Sequence, residues 1–154
     1  MPLYINLKSG ERLIVNGVVI ENFAMPAKLL IHNNAALLRE KDILTEEDAN
    51  TPARRIYFAI QCAYLFPAKE DVCLPVAHRL LGEFAGAAPS MMPIVHEIVE
   101  RVDARDYYRA LKSARHLIAI EHEILADALR LAGDEEPLFG TAPSAATYRD
   151  DRAA

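Results

Sequence analysis

The stretch Arg12-Leu13-Ile14-Val15-Asn16-Gly17-Val18-Val19-Ile20-Glu21 decides the architecture of the first third of the chain. Two apolar runs flank Asn-Gly, and a two-residue type I′ turn needs positive φ at both central positions. Asparagine tolerates that conformation and glycine adopts it without steric cost. The spacing therefore predicts a β-hairpin, Arg12 to Val15 paired with Val18 to Glu21. Upstream, Leu3 to Lys8 alternates so that Leu3, Ile5 and Leu7 share one face, and Ser9-Gly10 separates it from the hairpin. Downstream, apolar runs at Lys28 to His32 and Ala36 to Arg39 are divided by Asn33-Asn34. Together these segments read as an antiparallel meander of about five strands with one core face.

After Leu44 the apolar period changes from two residues to the helical one. Thr45-Glu46-Glu47-Asp48 has the outline of a capping box, and Thr51-Pro52 supplies an N-cap followed by proline, whose missing N–H costs nothing at a first helical position. A helix from Pro52 to about Phe66 follows, with Gln61 its one strongly polar residue after Ile56. An element apolar nearly all round belongs between the sheet and other helices, or in a subunit interface. Pro75 and Pro89 punctuate the next stretch, Ser90 reads as the cap of a helix from Met91 to Val102, and Asp103 begins the last long helix. On that helix Ala104, Tyr107, Leu111, Ala114, Ile118, Leu125 and Ala128 alternate by three and four, a heptad-like seam with Glu121 in its gap. Past Gly133 the composition of glycine, proline, acids and small residues carries no periodicity and reads as a flexible tail. The expectation is thus an α+β fold. A small antiparallel sheet region at 1–44, itself a candidate for RNA binding, precedes a helical bundle at 45–132 and a tail at 133–154.

Composition narrows the function classes. With 52% hydrophobic and 25% charged residues the 154-residue chain can bury a core and is neither disordered throughout nor a disulfide scaffold. Lys plus Arg is 17 against 22 for Asp plus Glu, so a net charge of -5 offers no global attraction to polyanions, and any such contact must be a local patch. No apolar run is long enough for a membrane span and the N-terminus lacks the pattern of a secretion signal, which points to the cytoplasm. Cys62 and Cys73 read as buried free thiols without redox or metal spacing. His96 with Glu100, and Glu121-His122-Glu123, lack the His-Glu-x-x-His geometry of a metal site and read as surface polar residues. With no nucleophile elbow, phosphate loop or metal pair in the sequence, the reading is of a protein that is not an enzyme and needs no cofactor.

Basic residues form two groups. Arg101, Arg105, Arg109, Lys112 and Arg115 recur at helical spacing with Tyr108 among them, and form one stripe if the helix is continuous. That stripe is either a surface for RNA backbone or a solvated face paired with Glu100, Asp103 and Asp106. The second group, Lys8, Arg12, Arg39 and Lys41, lies on the sheet beside Tyr4 and His32. It offers cations for phosphates and rings for splayed bases, or simply guards edge strands.

The segments Leu7-Lys8-Ser9-Gly10-Glu11-Arg12-Leu13-Ile14-Val15-Asn16-Gly17-Val18-Val19-Ile20 and Leu38-Arg39-Glu40-Lys41-Asp42-Ile43-Leu44-Thr45, running on through Asn50 to Ala59, resemble the FlbT family of flagellin-expression regulators. Asp106-Tyr107-Tyr108-Arg109-Ala110-Leu111-Lys112 fits as well, so the resemblance spans roughly residues 3 to 125. It implies a repressor that associates with the 5′ untranslated region of flagellin mRNA and lowers its translation and stability, without catalysis. A weaker likeness in the N-terminal strands and Leu38-Arg39-Glu40 is to the small RNA-binding regulator CsrA, a strand-exchanged dimer, in which Lys8 and Arg39 occupy positions matching the RNA contacts. Leu7 stands where that family has another arginine, so the likeness gives the place of a site and not the RNA sequence it reads. The resulting expectation is Lys8, Arg12, Arg39 and Lys41 as the RNA-binding set and Arg105, Tyr108, Arg109 and Lys112 as the secondary set, in a homodimer. The competing expectation is a protein-interaction adaptor for flagellin or for another flagellar regulator such as FlaF, working through the apolar helix and the heptad seam.

Overall fold

A computed structural model describes residues 2–134. Five strands come first, β1 (Leu3–Leu7), β2 (Arg12–Val15), β3 (Val18–Glu21), β4 (Ala27–Ile31) and β5 (Leu37–Arg39). Four helices follow, α1 (Pro52–Leu65), α2 (Glu70–Ala87), α3 (Met92–Asp103) and α4 (Tyr107–Asp134). The α+β class therefore holds. The tail expected from 133 onward lies, beyond Asp134, outside the described residues. Two compact units divide the chain, Met1–Ala119 and Ile120–Ala154.

The hairpin forms as its turn chemistry requires, with Asn16 at φ +50° and Gly17 at φ +83°. The meander does not form. Instead β1 pairs with β4 in a two-stranded sheet, while the other sheet has the order β3-β2-β5, all neighbours antiparallel. Alternation along a strand fixes which side chains are buried and says nothing about which strand lies beside it. Here the two small sheets face each other. Ile5 and Leu7 meet Leu13 in a small apolar cluster joined by Val15, Leu29, Ile31 and Leu37. The opposite face of β2 and β5 supplies Ile14 and Leu38 to the main core, shared with all four helices. The three-stranded sheet is therefore a middle layer, buried on both faces along β2.

α1 is the central helix that its composition predicts. Thr51 caps it by accepting the Arg54 N–H, and Ala53, Ile56, Ala59, Ile60, Ala63 and Leu65 are buried. Each fully buried Ile or Leu contributes roughly 1.5–3 kcal/mol of transfer free energy. Its polar atoms have a defined task. Tyr57, Gln61 and Tyr64, at i, i+4 and i+7, lie on one helix face and bond the backbone of β5 and the segment after it. The Tyr57 hydroxyl donates to the Asp42 carbonyl. The Gln61 amide accepts from Leu44 N–H at 2.9 Å and donates to its carbonyl at 2.8 Å, and the Tyr64 hydroxyl accepts from Leu37 N–H at 3.0 Å and donates to its carbonyl at 3.2 Å.

Three helix boundaries differ from the sequence reading. α2 runs through Pro75, because the Asp71 carbonyl, deprived of its usual helical donor, and the proline itself both lie at exposed positions, where water can serve the carbonyl. Ser90 does not cap α3; it sits inside a single 3-10 turn, Pro89–Met91, and α3 starts at Met92 without a side-chain cap. Asp103 does not begin the last helix but closes α3. The Asp106 N–H bonds the Arg101 carbonyl and the Arg105 N–H bonds that of Val102, with Arg105 at φ +58°. That is a Schellman stop in which an arginine holds the position glycine usually takes. In α4 the expected seam is buried at Leu111 and Ala114 and exposed at Leu125 and Ala128. Within the second unit, Ile124, Leu125, Leu129 and Leu131 are all exposed.

Candidate nucleic-acid interface

The structure does not gather the four sheet candidates on one surface. Cross-strand pairing sets Arg39 opposite Leu13, hence on Leu13's face, whereas Arg12 precedes Leu13 and points to the other face. Arg12 is tied there to its cross-strand neighbour, Nε to Glu21 Oε2 at 3.2 Å. Lys41 lies in the 3-10 turn after β5 and lines a separate small pocket with Arg54 and Arg115. Glu11 ties the Lys8 backbone to the Arg39 side chain. One carboxylate oxygen accepts the Lys8 backbone N–H at 2.8 Å and the other pairs with Arg39 Nη1 at 3.3 Å.

The helical stripe is also divided. The Schellman turn places Arg101 on α3 and Arg109, Lys112 and Arg115 on α4, with Arg105 in the junction. Of the acids expected to pair with the stripe, Asp106 does so, with Arg109 at 3.6 Å. Glu100 and Asp103 pair instead with His96 and His78, while Arg101 takes Glu97, Arg105 takes Glu70 and Arg115 takes Asp42. Of the candidate cations, Lys8, Lys41 and Lys112 have no carboxylate partner among the described residues.

One member of each candidate set, Arg39 of the sheet group and Tyr108 of the helical group, lines one groove. A cleft of about 420 Å³ is lined by Leu3, Tyr4 and Ile5 from β1, Arg39 from β5, Tyr64 from α1 and Tyr108 from α4. The rings of Tyr64 and Tyr108 lie 6.3 Å apart and tilted, and the Lys112 ammonium sits 4.8 Å above the Tyr108 ring, a cation–π contact. Tyr4 is 74% exposed and Tyr108 48%, so both rings are accessible to a ligand, with Arg39, held by Glu11, in the lining and Lys112 beside it over the Tyr108 ring. A second cleft shares Ala35, Tyr64 and Tyr108 and continues to Arg105 and Tyr107. Tyr107 bonds Glu70, and burial together with that bond pushes its hydroxyl up to about 12, so it stays a neutral donor. Burial raises Tyr64 as well, partly countered by its bond to Leu37. His32 is not part of either cleft.

Sequence reasoning misses Tyr64 and Glu11. Tyr64 is hidden in an apolar helix, where a tyrosine reads as core. Glu11, between Gly10 and a strand, gives no signal that its carboxylate lies between Lys8 and Arg39. The two cysteines are half-buried rather than buried. They stand on α1 and α2 in the wall of a different, largely apolar cleft, and burial raises the Cys62 thiol above its usual range.

Comparison with known proteins gives a consistent result. The family model described as flagellar protein FlbT matches residues 3–125. A probable flagellum biosynthesis repressor protein FlbT 1 from Bradyrhizobium diazoefficiens is 40% identical over 152 residues, 98% of this chain and 97% of that protein. One from Caulobacter sp. strain K31 is 39% identical over 127 residues, 81% of this chain and 97% of its own length. The flagellum biosynthesis repressor protein FlbT of Caulobacter vibrioides is 38% identical over 127 residues, covering 81% of this chain and 90% of that relative. No solved structure matches.

Proposed function

The chain belongs to the FlbT family, and from that membership we propose that it represses flagellum biosynthesis by holding the 5′ untranslated region of flagellin mRNA, so that translation and message stability fall. The observation that carries the RNA reading is the groove lined by Arg39, Tyr4 and Tyr108, with Lys112 over the Tyr108 ring beside it. Single-stranded RNA is gripped by cations along its backbone and rings against its bases, and each stacked base contributes roughly 1–3 kcal/mol. In this reading Arg39 and Lys112 meet phosphates, the exposed tyrosine faces stack unpaired bases, and Lys8 and Arg105 extend the track at either end. No bond is made or broken. A groove of this kind favours unpaired leader segments over duplex, since stacking on the tyrosines needs splayed bases.

The test is the affinity for a flagellin leader of Arg39→Ala, of Tyr108→Ala, and of the triple change Arg105, Arg109 and Lys112 to Gln. The first should cost about 1–3 kcal/mol, as for a good bidentate contact. The triple change should weaken binding and flatten the dependence of log affinity on log salt by about 0.7 for every phosphate that the removed cations had neutralised. Unchanged affinity in all three, with the fold intact, would remove RNA from this groove.

A second reading has its own observation. The exposed apolar residues Ile124, Leu125, Leu129 and Leu131 on α4, together with the acidic net charge, suit an adaptor that docks a helix of flagellin or of another flagellar regulator such as FlaF. Apolar docking is insensitive to salt where phosphate binding is steeply sensitive, so one titration at two ionic strengths separates the two.

A further inference from the structure

We propose that the open edge of β3 is a self-association surface, on which two copies of this chain pair antiparallel about Val19 and join their three-stranded sheets into one of six strands.

β3 is an edge strand in the order β3-β2-β5, and every one of its residues is exposed. Val18 is 63% exposed, Val19 60% and Ile20 40%, and the strand's one charge, Glu21, is already paired with Arg12 of the same chain. Edge strands of soluble proteins are usually guarded by lysine, proline or a bulge, and β3 has none of these. Beside it the loop after β3 presents Phe23 at 93% and Met25 at 83% exposure. That loop is firmly built. The Asn22 side-chain amide donates to the carbonyls of Leu7 and Met25 and its oxygen accepts the Ala24 N–H, while the Asn22 backbone bonds Gly10 and Glu11. Two large, strongly exposed apolar side chains on a pinned loop, next to an unguarded strand, leave apolar surface of the kind that marks an interaction site.

Three features select a second copy as the occupant. The two-residue turn makes Val15 and Val18 a hydrogen-bonded pair, so Val18 and Ile20 direct their backbone groups at β2, whereas Val19 and Glu21 direct theirs outward. An antiparallel two-fold at Val19 then forms a hydrogen-bonded Val19–Val19 pair and sets Gly17 opposite the second copy's Glu21. Apolar side chains meet apolar side chains and no like charges face each other, as an isologous contact requires. The area also fits. The five exposed apolar residues present roughly 700 Å² per copy by their exposures, so a pair that covered most of this surface would reach the 1,200–2,000 Å² of specific stable interfaces.

Sedimentation velocity on the full chain tests this with Val19→Lys, Val19→Glu and their equimolar mixture, the fold of each being followed by circular dichroism. Wild type should be a dimer at micromolar concentration. Each variant alone, with like charges facing across the two-fold, should dissociate at least ten times more readily, and the mixture should recover the dimer. A wild type that stays monomeric at tens of micromolar, a Val19→Lys variant that remains dimeric, or a mixture that fails to recover would each overturn the proposal.

Discussion

Replacing Glu11 with Gln should tighten RNA binding, a gain of function from removing an ion pair within the sheet. Glu11 holds Arg39 at 3.3 Å through one oxygen and the Lys8 backbone N–H at 2.8 Å through the other. Glutamine keeps a carbonyl for that N–H, so the β1–β2 turn should persist. The ion pair is partly exposed, with 38% of the Arg39 side chain and 21% of Glu11's accessible, and pairs of that kind contribute about 0.2–1 kcal/mol. Stability should therefore fall by no more than about 1 kcal/mol. On the RNA side, a phosphate seated on Arg39 would lie roughly 4–5 Å from the carboxylate, and like charges at that range repel by about 1 kcal/mol even at the dielectric constant of water. The expected result is binding about fivefold tighter at low salt, narrowing as salt screens the repulsion. Fluorescence anisotropy with a labelled flagellin leader at two salt concentrations measures it. Equal or weaker binding by a folded Glu11→Gln protein would refute the placement of phosphate at Arg39.

Gln61→Leu leaves the Leu44 N–H and carbonyl without their partners and should destabilise the protein by about 2 kcal/mol, read as a lower urea midpoint with unchanged slope. Arg105→Gly removes the left-handed strain at φ +58° and should stabilise by about 0.5–1 kcal/mol while modestly weakening RNA binding, a separation visible by comparing thermal melts with anisotropy. His78 places Nε2 2.8 Å from Asp103 and Nδ1 2.9 Å from the Leu74 carbonyl, so both nitrogens donate in the imidazolium form, and the Asp103 bond first, then that to Leu74, raises its pKa. Its stabilisation is full below the unfolded value near 6.5 and is lost as pH rises through the higher folded value. The melting-temperature gap between wild type and His78→Gln should therefore hold steady at acid pH and shrink as the pH is raised above about 6.5.

Local chemistry is legible in the sequence, and partnership is not. Asn16-Gly17 announces its hairpin because so few residues tolerate positive φ, and Thr51-Pro52 announces α1 because the cap and the proline agree. The pairing of β1 with β4 is invisible in either strand, since alternation has no memory of a neighbour. The sequence puts the break between α3 and α4 at Asp103, within a few residues of its place, but not its form: a Schellman stop is read from its glycine, and here Arg105 takes up the strain instead. Of the candidate site, the cations can be named because charge is conspicuous, but the groove that brings Arg39 and Tyr108 together is walled by Tyr64. That residue reaches β5 across 27 positions of sequence, a contact no spacing rule encodes.

The Tyr64 hydroxyl occupies both outward backbone groups of Leu37. A helix side chain thus does for Leu37 what another strand would do, leaving the three-stranded sheet with unlike flanks: β5 occupied at Leu37, β3 open along its length. Growth of such a sheet is one-sided. In the proposed two-fold pair both β3 edges are used up, and the joined sheet ends at either side on a β5 whose Leu37 is already occupied by Tyr64. Tyr64→Phe would free the Leu37 N–H and carbonyl and leave that flank, too, open to a further strand.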